Sequence, residues 1–191
     1  MFRAQKRSRL LMLFSVIALI ATSVPSLSVW AQNEKGAMKD KLKAYLNAFE
    51  FKEGFQQMVN NPHTAREVVR EQISQWPDNV TIIRCLVVLE RVGERDDALR
   101  VLPFLRSEDS QVRLKAIRVM TALGDDRILA AVEMCLYDTN DAVRSCAIAY
   151  FEKQPTKSAR DVLGRFLEFE PKTDNARKDQ ERITAALKLK E

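Results

Sequence analysis

A reactive site needs a nucleophile, a base or a set of ligands brought together, and this 191-residue sequence offers few of them. Its one histidine, His63, follows Pro62 at a turn with no cysteine near it, so neither a metal site nor a nucleophile and base pair can be built around it. No Gly-rich phosphate loop, HExxH, GxSxG or paired-cysteine motif occurs. The expectation is a protein with no catalytic residues, no bound metal and no cofactor. Three cysteines remain. Cys85 shares a repeat position with Ala116 and Ala147, and Cys135 shares one with Phe104 and Phe166, so both read as core fillers. Cys146 differs, because its position elsewhere holds Arg84 and Lys115; a thiol at a polar place in an oxidising compartment is either paired or free to react. A bridge from Cys135 to Cys146 requires Cα atoms within roughly 4.4–6.8 Å, which sequence leaves open. Arg113 and Arg144 also stand out, since the same charge recurs at a fixed place.

The elements that must position these residues begin with the composition. At 46% hydrophobic and 30% charged, with five glycines and six prolines, the chain is too apolar for disorder, too Gly-poor for collagen and too Cys-poor for a disulfide scaffold. One soluble globular domain is what these figures imply. The formal charge is +5, but Arg3, Lys6, Arg7 and Arg9 supply four of those charges within a segment that has no acid, leaving +1 for the rest. Interspersed signs near neutrality give no footprint for a phosphate backbone, so no nucleic-acid partner is expected. Residues 1–31 have the parts of a secretory signal: the basic start, an apolar run from Leu10 to about Ala21, and a turn-prone stretch at Pro25 ending at Val29-Trp30-Ala31. Cleavage after Ala31 predicts a periplasmic or secreted protein; if the leader stays, the chain is anchored to the inner membrane by it, although the run is short against the roughly 20 residues of a spanning helix.

Shifting the chain on itself by 31 residues aligns Val112-Arg113-Leu114-Lys115-Ala116-Ile117 with Val143-Arg144-Ser145-Cys146-Ala147-Ile148. One step earlier, Val92-Gly93-Glu94 falls on Leu123-Gly124-Asp125. Each copy reads as two helices. The first carries a stripe such as Val112, Ala116, Ile117, Met120 and Leu123, with Asp109 or Ser110, and then Asp141, at its start. Gly93 and Gly124 end it where a left-handed residue is wanted, and Asp96/Asp97 and Asp125/Asp126 open the second helix, over about 96–106, 126–137 and 157–169. No alternating strand pattern appears, so the fold class is all-α.

From Ser107 to Phe151 these motifs resemble HEAT repeats of the short kind found in phycobilisome lyases: an acidic loop, Val-Arg, a small residue, then Leu-Gly-Asp. Thr81-Ile82 departs from Val-Arg and Gln154-Pro155 from Gly-Asp, while residues 76–99 are similar to tetratricopeptide pieces. The resemblance implies a right-handed α-solenoid; after the signal peptide at 1–31 and a short flexible start at 32–37, one domain at 38–191 is expected, with repeats near 38–75, 76–106, 107–137 and 138–169 and a cap at 173–189. The first of these is read as a helical pair broken at Asn60-Asn61-Pro62. The resemblance further implies that Arg113 and Arg144 form a structural ladder with Asp109, Asp138 and Asp141.

A solenoid's second helices offer an extended face to another protein, here carrying Arg66, Arg70, Arg100, Arg127, Glu133, Arg160 and Arg165. The excess of arginine suggests an acidic partner segment. The function expected is non-catalytic scaffolding of another envelope protein or peptide. The alternatives are an accessory subunit or enzyme like the HEAT-like lyases, and a thiol-based sensor using Cys146.

Overall fold

Among the described residues, five helix starts are closed by a side chain supplied from the preceding loop. Asp78 accepts from the backbone N–H of Val80 and Thr81, Asp109 from Gln111, Asn140 from Ala142 and Val143, Thr156 from Ala159 and Thr173 from Ala176. The computed structural model describes residues 25–48, 51–124, 126–153 and 156–188. Among them are ten α-helices and no strand. They are α1 (Pro25–Asn47), α2 (Phe51–Asn60), α3 (Pro62–Ser74), α4 (Asn79–Val92), α5 (Asp97–Val101), α6 (Ser110–Leu123), α7 (Leu129–Met134), α8 (Asp141–Lys153), α9 (Lys157–Leu167) and α10 (Asp174–Lys188).

Packing follows chain order: α4 lies on α6 and α6 on α8, while the elements after each first helix cover the same seam. The helix α4 is dense in β-branched residues, which helix propensity disfavours. It forms because Ile82, Cys85, Leu86, Leu89 and Val92 are buried on one side. In α6 and α8 the equivalent stripes are Val112, Ala116, Ile117 and Met120, then Val143, Ala147, Ile148 and Phe151. A single core runs from Leu42 in α1 to Ile183 in α10.

The second elements are not clean helices. Residues 97–106 change to a 3₁₀ turn at Leu102–Arg106, where Pro103 has no N–H to give an α-helix. Residues 126–137 are a 3₁₀ turn, α7 and a second 3₁₀ turn at Cys135–Tyr137. The start of the chain also differs from the reading above. Residues 38–75 hold parts of three helices rather than one pair, and residues 32–37, expected as a flexible lead-in, lie within α1. Leu42 and Leu46 of α1 are fully buried, each worth about 1.5–3 kcal/mol. That exceeds what the exposed Lys35 and Lys39 ammonium groups gain from Glu67, so burial attaches α1 and the ion pairs orient it. Residues 1–24 of the leader lie outside the described residues, and no described helix is long and apolar enough to cross a membrane.

Two glycines end helices for different reasons. Gly124 has φ +64°, the left-handed cap expected for it. Gly93 does not: its φ is −64°, and what excludes a side chain is contact, since a Cβ would stand 2.4 Å from the Leu89 carbonyl oxygen and 3.0 Å from Leu123 Cδ2. Asp141, expected as a cap, is instead the first residue of α8, and Asn140 does the capping.

Candidate functional site

The arginines assigned to a partner mostly face acids of their own chain. Arg66 Nη1 donates to the Val92 carbonyl at 3.0 Å and its Nη2 lies 3.0 Å from Glu94. Arg70 donates to both oxygens of Asp97, at 2.6 and 3.0 Å, and to Glu94 at 3.0 Å. Arg127 reaches Asp96 at 2.9 Å and Arg165 reaches Glu133 at 2.7 Å, while Arg100 lies 3.9 Å from Asp97. Arg160 is exposed and has no such partner among the described residues. Several of these pairs span about one repeat, so they tie each second element to the next. Asp97 is fully buried; burial works to raise its carboxyl, but Arg70 and the Glu94 N–H hold it below the ordinary carboxylate value.

The ladder residues meet as a recurring clasp. Arg113 Nη1 donates to the carbonyls of Ser107 and Glu108, and its Nε and Nη2 fork onto Asp138 at 2.7 and 2.9 Å. One repeat on, Arg144 Nη1 donates to the carbonyls of Asp138 and Thr139, the same relative positions, and its other nitrogens reach Asp141 and Asp179. Asp109 stands apart from this clasp, capping α6 and accepting from Asn79 at 3.2 Å. Burial raises Asp138, yet Arg113 and the Asn140 N–H together hold it low. In the preceding copy, where Ile82 replaces arginine, Arg84 donates to the Leu46 carbonyl at 2.6 Å instead.

Beside these paired charges, the second elements also expose apolar side chains. A groove of about 410 Å³ lies between residues 102–106 and 131–138, formed by Leu102, Pro103, Leu105, Ala131, Met134 and Cys135, with Arg106 and Asp138 at its edge. A second, of about 260 Å³, is formed around Leu136, Tyr137, Phe166, Phe169 and Pro171, and it too includes Asp138. Leu102, Met134, Tyr137 and Phe169 are all exposed, Met134 by 55%. Tyr137 packs edge-on against Phe166 and Phe169, with centroids 5.6 and 5.0 Å away. Trp76, 63% exposed, has φ +49°, a strained value for a bulky residue, and its ring packs at a tilt against Phe104, centroids 5.0 Å apart; Phe104 stands in the chain between the groove residues Pro103 and Leu105.

None of these apolar residues was singled out as a binding residue in the sequence, although a signal existed. Tyr137 aligns with Arg106 and Glu168, an apolar ring in a column that is charged in the copies on either side, while Met134 aligns with Pro103 and Arg165 and Phe169 with Ser107 and Asp138.

The remaining chemistry-bearing residues stay separate. All three thiols are free, so the bridge from Cys135 to Cys146 is not formed. Burial pushes Cys85 and Cys135 up to about 12. Cys146 is half-buried beside Arg118 and Glu90, and desolvation raises it too, the reverse of what an activated thiol needs. His63 sits 3.2 Å from Glu67 on the surface. No group of three His, Cys, Asp or Glu side chains among the described residues could hold a metal ion. Compared with family models, with curated proteins and with solved structures, the chain finds no match in any of the three.

Proposed function

We propose that this chain is a non-catalytic α-solenoid of short HEAT-like repeats, right-handed as such repeats are, which binds and scaffolds another protein in the bacterial envelope. The observation that carries this reading is the pair of apolar grooves along the second elements, which share Asp138 and leave Leu102, Met134, Tyr137 and Phe169 exposed. Exposed apolar area of this kind costs solubility and is kept where a partner covers it. The repeat reading is supported by the capping residues Asp78, Asp109 and Asn140, spaced by 31 residues, and by the clasp at Arg113 and Arg144. Export rests on the leader. Cleavage after Ala31 would leave intact the contacts of Lys35, Lys39, Leu42 and Leu46 that hold α1.

A photo-reactive residue placed at Met134, at Tyr137, or at Cys146, which lines neither groove, tests the binding reading in cells. Adducts of one defined mass from the first two positions and none from the third are expected. Adducts from Cys146 alone, or none from any position, would overturn it.

A further inference from the structure

The grooves carry charges as well as apolar walls, and those charges are unevenly satisfied. Asp138 borders both grooves, but its oxygens are taken by Arg113 and the Asn140 N–H. Arg144, at the second groove, is held by Asp141, Asp179 and two carbonyls. Two cations are left over. Arg106 at the edge of the first groove and Lys172 at the edge of the second are exposed, and neither has an acid within ion-pair distance among the described residues. This contrasts with Arg66, Arg70, Arg127 and Arg165 on the neighbouring elements, all of which are matched within the chain. What each groove presents is therefore an apolar wall with one unanswered positive charge at its edge.

Resting on the binding reading above, we propose that both grooves take a single segment of a partner protein whose apolar side chains are flanked by carboxylates. One apolar side chain enters between Leu102 and Met134, a second lies on Tyr137 and Phe169, and the carboxylates meet Arg106 and Lys172. Adjacent helical elements sit roughly 8–10 Å apart, a distance that an extended chain spans in about three residues. The recognised pattern is then two apolar residues about three apart with Asp or Glu beside them. The apolar contacts supply most of the affinity, and the exposed charges set which segments are accepted.

The test is selection of a random peptide library, displayed on phage, against the full chain, followed by titration of the selected synthetic peptides by fluorescence anisotropy. Selected peptides should place Asp or Glu next to paired apolar residues and bind about tenfold more weakly to the Arg106→Glu, Lys172→Glu double variant. They should also lose binding to Met134→Asp; as all three positions are exposed, melting temperatures should match the parent's. Peptides with neutral or basic flanks that still depend on Met134 would overturn the acidic partner and leave the groove reading standing. Failure to select any peptide sensitive to Met134→Asp would overturn both. A self-associated chain, dispersed by Met134→Asp, would also overturn it, a second copy being then the occupant.

Discussion

Arg113 and Asp138 show how much of this molecule rests on a few well-placed ionic contacts. The side chain of Asp138 is 9% exposed and that of Arg113 13%, so removing one partner strands a desolvated charge. Asp138→Asn should cost about 2–4 kcal/mol at neutral pH, read by urea denaturation. The pH dependence has a defined sign. Because the folded carboxyl is held low, its contribution is complete above the unfolded value of about 3.9 and is lost as pH falls through the folded value. The stability gap between parent and variant should therefore close on acidification below about pH 4; a gap that is constant from pH 7 to 3 would mean that the fork onto Arg113 does not form in solution.

Element ends offer a test that separates two uses of glycine. At Gly124 there is open space for a side chain, so Gly124→Ala meets only the left-handed backbone and should cost about 1 kcal/mol. At Gly93 the backbone is ordinary but the added Cβ would collide with the Leu89 carbonyl, so Gly93→Ala should cost more, about 2–3 kcal/mol by the same denaturation assay. The reverse order would show that the chain relieves the contact at Gly93 by a small shift that costs less than the left-handed backbone at Gly124. This difference also marks what was legible in the sequence. The stripes at Val112 to Met120 and Val143 to Phe151 and the cap at Asp174–Lys188 are periodic, and the structure forms them there. Periodicity could not distinguish the two glycines, because it marks where each helix ends but not the backbone angles there, which bring a Gly93 Cβ onto the Leu89 carbonyl and leave one at Gly124 in open space. Nor could it show that Arg70 and Arg165 already face Asp97 and Glu133, since matching charges about a repeat apart requires knowing how repeats stack. The grooves were missed for a related reason: apolar residues on the second elements read as core, and only the structure separates buried Val101 from exposed Leu102.

At the scale of the whole molecule, contacts run mainly between sequence neighbours, from α1 with α2 to α9 with α10. In the solenoid proposed above, stability would be close to a sum over units and the junctions between them. The arginine clasp gives that sum a molecular form, because each arginine secures the loop before its own helix and the fork of Arg113 reaches the first residue of the unit that follows. Copy number is consequently open to change. A second copy of residues 107–137, inserted after Tyr137, would put Ser107 of the new unit where Arg113 expects a carboxylate; Ser107→Asp in that unit supplies it. The lengthened chain should unfold in one transition at a higher urea concentration, with a steeper slope from the added buried surface. The molecule would then be read less as a finished object than as a length, one that gene duplication can extend while each new joint arrives with its own fastening.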